Sequence, residues 1–271
     1  MSGVRFTEDQ STNLATLYGR ALDARAAHPV LGDPTAEDAV RRIDYDFGKF
    51  KIGRAEAFGI ACRGKVFDQA VREFVAAHEE STVLHLGAGM DSRVFRIDPP
   101  PTVRWYDVDF PDVIDLRAQV YPERANTTVL RASVTAPGWL DQVPADRPTL
   151  VVAEGLTMYL DPEGGFELFR RVVERFPSGE VFIDAYSKLG IRLQKTNSVV
   201  RRAKATLRWG IDPEDLEEVG LTLSAATNAA GFVPEEDWQY LPAVQRVLYR
   251  AMLRIPVLRD MGRTLRYRFG S

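Results

Sequence analysis

Val83-Leu84-His85-Leu86-Gly87-Ala88-Gly89-Met90-Asp91-Ser92-Arg93 is the stretch whose reading sets the fold. Ser81–Leu86 is a short, β-branched, largely apolar run that passes straight into Gly-x-Gly. Two glycines there let a backbone turn tightly and approach a ligand closely. A glycine pair after a strand is also an ordinary turn, so the surrounding pattern has to decide. Runs of the same strand character follow at Val103–Val108, Thr128–Ala132, Thr149–Ala153 and Glu180–Ala185. Pro111–Tyr121, between the second and third runs, starts with a proline and sets Val113, Leu116 and Val120 on one face. Pro162–Phe176, between the fourth and fifth, carries Phe166, Phe169, Val172, Val173 and Phe176. Strands alternating with helices predict an α/β protein with a parallel, doubly wound, Rossmann-like sheet. The segment Ser92–Pro101 is short for a helical crossover.

Upstream, Ser11–Ala27, Thr35–Ile43 and Gly53–His78 read as helices. The third places Phe58, Cys62, Phe67, Val71, Phe74 and Val75 at spacings near three and four. Downstream, Lys188–Arg208 is basic and reads as helical, Leu221–Ala226 as a strand, Pro234–Leu253 as mostly helical and Thr264–Phe269 as a final strand. The expectation is one domain over 1–271, with an N-terminal helical cap (1–80), a ligand-binding core (81–187), and a lid with C-terminal strands (188–271).

Hydrophobic residues at 45% and charged residues at 27% exclude disorder and collagen-like structure. The formal net charge of -3 gives no whole-molecule field for nucleic acid or an anionic membrane, so neither is expected as a partner. A single cysteine, Cys62, excludes an internal disulfide framework. His28, His78 and His85 are too scattered for a metal site, and none is expected. The polar start MSGVRFTEDQ and the lack of any apolar run of ~18 residues predict a cytoplasmic protein.

A dinucleotide site wants a third glycine and a helix N-terminus open to a pyrophosphate. Asp91 stands at that place, where it would repel a diphosphate. The better ligand is a nucleoside without phosphates, and S-adenosylmethionine meets that description. In Trp105-Tyr106-Asp107-Val108-Asp109-Phe110-Pro111, Asp109 ends the second strand roughly 20 residues beyond Gly87. An acid there can accept both ribose hydroxyls; the alternative is a cap for the helix that starts at Pro111. Asp107 shares its face of the strand. In Val151-Val152-Ala153-Glu154-Gly155, Glu154 ends a buried strand, where it needs a cationic ligand or an arginine as partner.

The segments LGAGMDSR, WYDVDFP and AEGLTMYL, in this order and spacing, resemble the leucine carboxyl methyltransferase family. The likeness is nearest to its small-molecule branch, which serves polyketide biosynthesis, and runs from LYGRALDAR and RIDYDFGKF to the closing RYRFG. It implies a class I S-adenosylmethionine-dependent methyltransferase. Gly87, with Ala88 and Gly89, then matches the backbone that meets the methionine part of the cofactor. Asp109, with Phe110, matches the ribose site, Glu154 an acid at the amino-acid end, and Arg63 the arginine for the methionine carboxylate. One departure stands at Ser133, where protein-methylating members carry an acid along the adenine.

A carboxylate acceptor is ionised at neutral pH and needs no general base, whereas a phenol usually gains from one. His85 reads as a core residue and His78 ends a helix, which leaves His28 as the candidate base. The branch resemblance and this lack of a base favour a small-molecule carboxylic acid as substrate. Arg192 and Lys195 in the basic segment, and Tyr159 and Tyr186 near strand ends, are candidate substrate contacts. Three functions compete: an O-methyltransferase on a carboxylate or, alternatively, a phenol; a nicotinamide oxidoreductase, disfavoured by Asp91; and a non-catalytic S-adenosylmethionine-binding partner protein.

Overall fold

The computed structural model describes residues 8–193 and 206–270. A seven-stranded sheet lies at its centre, in the order β3-β2-β1-β4-β5-β7-β6. The strands are β1 (Thr82–Leu86), β2 (Arg104–Asp109), β3 (Thr127–Arg131), β4 (Thr149–Ala153), β5 (Ser178–Tyr186), β6 (Thr222–Asn228) and β7 (Gly262–Gly270). The first five are parallel, and β7 runs antiparallel between β5 and β6. The chain leaves β1 toward β2 and β3, then returns to build β4 and β5 on the other side. The crevice between the ends of β1 and β4 is therefore the switch point, where open α/β sheets bind ligands.

Alternate residues of each central strand serve two helical layers, as a sheet buried on both faces requires. Leu84 and Leu86 face α6 (Pro162–Arg175), whose Leu168, Phe169 and Val172 join them in one core. Val83, Trp105, Leu150 and Phe182 face α3 (Arg54–Ala77), which supplies Phe67, Val71 and Phe74. That corrects the expected division at residue 80. The cap is built by α1 (Glu8–Ala24), α2 (Pro34–Arg42) and the short turn Phe47–Phe50, packing Leu14, Leu17, Ala39 and Phe47 over Met90 and over Leu116 of α5 (Pro111–Val120). The helix α3 is instead a layer of the sandwich, because its apolar stripe has the sheet to cover.

The short crossover holds a single helical turn, α4 (Arg93–Ile97), which packs Val94 against α3. Of the basic segment Lys188–Arg208, residues 194–205 lie outside the described residues, and with them the helix expected there. Its described parts are α7 (Lys188–Arg192) and residues 206–208, which have no regular secondary structure. Just downstream, the Trp209 ring packs so close to Gly165 that a Cβ there would stand 2.0 Å from it. Pro234–Leu253 divides at Pro242 into a short 3-10 stretch and α8 (Ala243–Leu253). Among the described residues no helix is long and apolar enough to cross a membrane.

Candidate functional site

At the end of β1 the chain turns on Gly87 (φ +61) and Gly89 (φ +50), in the left-handed region that favours glycine. Side chains would also collide there, since a Cβ on Gly87 would lie 2.9 Å from Leu156 and one on Gly89 2.7 Å from Asn13. The N–H groups of Gly87 and Ala88 both donate to the Val108 carbonyl, at 2.9 and 3.2 Å. The next three carbonyls are held from α5. Arg117 donates to those of Gly89 (2.8 Å) and Asp91 (2.7 Å), and the Tyr121 hydroxyl to that of Met90 (2.8 Å). The loop is thus fixed from beneath by side chains.

Asp109 accepts the Gly89 N–H at 2.6 Å and the Phe110 N–H at 2.7 Å. A carboxylate has about four acceptor positions, so capacity for two hydroxyls remains. Burial raises its pKa, although the two N–H groups and Arg117 pull the other way. Asp107 points into the protein: it accepts from His85 Nδ1 and Trp105 Nε1, both at 2.9 Å, and pairs with Arg117. Phe110 is 49% exposed beside Asp109. Ser133 follows β3 at the same edge, with its hydroxyl 3.0 Å from that of Thr135.

Glu154, at the end of β4, takes Arg63 Nε at 2.9 Å, Arg20 Nη2 at 3.0 Å and an Nη of Arg93. Burial alone would raise its pKa, but Arg20, Arg63 and Arg93 together bring it down to about 2. Arg63 also reaches Asp184 at 3.4 Å, and Asp184 accepts the Gly155 N–H at 2.6 Å. Asp91 pairs with Arg20 (2.7 Å), Arg93 (3.0 Å) and Arg96 (2.9 Å). That corrects the reason given for excluding a diphosphate: Asp91 is no open negative charge, but one neutralised by three guanidiniums.

These groups border a cleft walled by Thr12, Asn13, Thr16 and Arg20 of α1, the glycine loop, Arg63, His85, Glu154 and Gly155. The buried carboxylates of this connected network, Asp33, Asp68, Asp91, Asp107, Asp109, Glu154 and Asp184, outnumber its arginines, Arg20, Arg63, Arg93, Arg96 and Arg117. A surplus of buried carboxylate favours a ligand carrying net positive charge. S-adenosylmethionine, with a sulfonium and an ammonium against one carboxylate, fits that balance. Arg63 and Glu154 offer the two charge signs its amino-acid end needs.

Tyr159 and Tyr186 come together with Met158, Ile191 and Leu207 at the ends of β4 and β5. Arg192 closes α7 and is exposed, whereas Lys195 lies outside the described residues. His28 is exposed and stacks on Tyr240, with ring centroids 5.2 Å apart, away from the cleft wall. His85 donates Nδ1–H to Asp107 and accepts at Nε2 from Arg93 (3.1 Å), so both ring nitrogens are engaged. His78 ends α3 with its ring against Phe74.

The sequence reading missed Arg20, Arg93, Arg117 and Asp184. Asp184 sits near the end of its strand much as Glu154 follows its own, and could have been found by the same rule. Arg20 and Arg93 stand inside the quoted LYGRALDAR and LGAGMDSR. Arg117 left no signal, because nothing in a helix pattern says which arginine turns inward.

Comparison with known proteins gives a consistent result. The family description "Leucine carboxyl methyltransferase" matches residues 13–173. The chain is 42% identical over 275 residues to the tetracenomycin polyketide synthesis O-methyltransferase TcmP of Streptomyces glaucescens, covering 98% of each. It is 33% identical to the S-adenosyl-L-methionine-dependent methyltransferase dpfgK of Gibberella zeae, over 79% of each. Among solved structures, a candidate methyltransferase from Thermobifida fusca YX aligns with a TM-score of 0.56 at 18% identity, covering 93% of this chain and 94% of that one. Magnesium protoporphyrin IX methyltransferase from Synechocystis PCC 6803 aligns at 0.51 and 13% identity, over 88% and 96%. The structural likenesses concern the fold, which is that of class I methyltransferases.

Proposed function

The chain belongs to the leucine carboxyl methyltransferase family and is an S-adenosylmethionine-dependent methyltransferase; from that premise we propose that it makes a methyl ester on the carboxylate of a small, polyketide-like metabolite. The likeness to a polyketide O-methyltransferase supports the substrate class. When bound, S-adenosylmethionine supplies a methyl group on a sulfonium, open to in-line displacement by an acceptor oxygen. What remains for the protein is to position and to exclude water. Asp109 holds the ribose, with Phe110 and Ser133 flanking the base. Arg63 holds the methionine carboxylate, for which a forked, permanently charged partner is suited. Glu154 holds the ammonium. Arg117 and Tyr121 keep the carbonyls of the glycine loop turned toward α5.

The observation that carries the carboxylate reading is the state of His85. It is the histidine in the cleft wall, and with Nδ1–H given to Asp107 and Nε2 taken by Arg93 it has no nitrogen left for an acceptor's proton. A carboxylate arrives already ionised and asks for none. Tyr159, Tyr186 and Arg192 are the acceptor's contacts in this reading, and the cytoplasm its setting.

Transfer of labelled methyl groups into a panel of aromatic acids and phenols tests the proposal. The expected product loses its label in mild alkali, as an ester does. An alkali-stable product formed from the phenols would overturn it in favour of ether formation.

A further inference from the structure

Among the described residues, six of the nine large apolar side chains that the fold leaves exposed fall within residues 244–258. Val244, Val247 and Leu248 of α8 are 70%, 66% and 64% exposed, and Ile255, Val257 and Leu258 continue the patch into the single turn Pro256–Arg259. The spacings of three, four and seven from Val244 put Val247, Leu248 and Ala251 on one face. The opposite side of α8 is the anchored one. Tyr249 packs on Trp238 and gives its hydroxyl to the Ala229 carbonyl, in a cluster with Phe58 and Cys62 of α3. The apolar face is therefore turned outward by design of the helix, with its own aromatic residue holding it down.

The same segment, 243–259, contains Arg246, Arg250, Arg254 and Arg259 and no acid. Arg250 and Arg254 are exposed along one border of the apolar face. Asp260 pairs with Arg259, and Glu236 and Asp237 with Lys65, so the segment's positive charge rests on Arg246, Arg250 and Arg254. A chain of net charge -3 thus concentrates positive charge on one projecting apolar ridge, which a whole-molecule balance conceals.

We propose that α8 and the turn after it form a docking surface for an anionic lipid bilayer. A short helix with aliphatic residues outward and arginines at their border lies in the interface, its apolar face among the acyl chains and its guanidiniums at the headgroups. Two other occupants suit the surface less well. Protein interfaces take their anchors from Trp and Tyr as well as Arg, with Leu and Val under-represented, and the exposed apolar residues here are Val, Leu and Ile. A second copy docking antiparallel across a two-fold axis would bring the arginine rows together.

Co-sedimentation with extruded vesicles tests this, using phosphatidylcholine alone and phosphatidylcholine mixed with phosphatidylglycerol. The full chain is expected to sediment with the anionic vesicles at low salt, to stay in solution with the zwitterionic ones, and to be released by high salt. Arg250→Gln with Arg254→Gln should weaken the partition about ten- to thirtyfold. Leu248→Glu should abolish it with an unchanged thermal melt, since the residue supports no core. Failure to sediment with anionic vesicles would overturn the proposal, as would sedimentation that Leu248→Glu leaves intact. Self-association of the free protein that Leu248→Glu abolishes would overturn it too, and give the ridge to a second copy.

Discussion

Asp109→Ala separates the two tasks of that carboxylate. In the fold it accepts the Gly89 and Phe110 N–H groups at 2.6 and 2.7 Å. Phe110 is exposed, so water can replace the carboxylate there. Gly89 belongs to the buried, clamped loop, and its N–H would be left without a partner, which costs about 1–3 kcal/mol. The variant should therefore fold, with a modestly lower melting temperature. Binding should suffer more. Two ribose hydroxyls lose a charged acceptor, at about 2–4 kcal/mol in all, or roughly thirtyfold to nearly a thousandfold in Kd. Titration calorimetry with S-adenosylhomocysteine reads that loss directly, and Asp109→Asn, which keeps one acceptor oxygen, should fall between. Affinity within threefold of the parent in folded Asp109→Ala would refute the ribose assignment.

Arg63→Lys should weaken S-adenosylmethionine binding less than Arg63→Ala does, and both should spare adenosine, which lacks the carboxylate; equal losses for the two ligands in calorimetry would place Arg63 elsewhere. His28→Ala should leave turnover within about tenfold, because loss of a true base costs 10²–10⁴, and a larger fall in a folded protein would reinstate it. Stability should depend on acid. Burial would raise the Asp107 pKa, but Arg117 and His85 outweigh it and bring it to about 2, as the arginines do for Glu154. A depressed carboxyl pKa stabilises the fold above its unfolded value and loses that contribution as pH falls through the folded one. The melting temperature should drop between about pH 4.5 and 2, Asp107 alone accounting for about 2 kcal/mol. A melt that is flat down to pH 2.5 would contradict it.

The strands, their order of appearance and the ends that carry Gly87, Asp109 and Glu154 could be read from the chain, because period-two burial and glycine turns are local properties. The ion-pair network could not. Whether Arg20 faces Glu154 or solvent depends on where α1 lands, 134 residues away in sequence. The same limit misjudged Asp91, whose charge looks open until Arg20 and Arg96 are folded against it. The boundary of the cap failed for a related reason, since an apolar stripe on α3 does not say which surface it will meet. The packing of Trp209 on Gly165 is likewise a contact between large and smallest residue that no periodicity announces.

The antiparallel strand β7 bears on how the protein comes to be folded. It pairs along all of β5, from Ser178 with Gly270 to Tyr186 with Gly262, and it is the strand through which β6 joins the sheet. During synthesis β5 emerges long before its neighbour, and its open edge, carrying Val181, Phe182 and Ile183, must wait through some eighty residues. The β6 strand waits with no partner at all. Non-local pairing of this kind is slow and leaves strand edges exposed to aggregation. A nascent chain arrested before residue 262 should therefore be the dangerous species, needing a chaperone or a quick finish, while the completed chain closes the gap in a single zippering step.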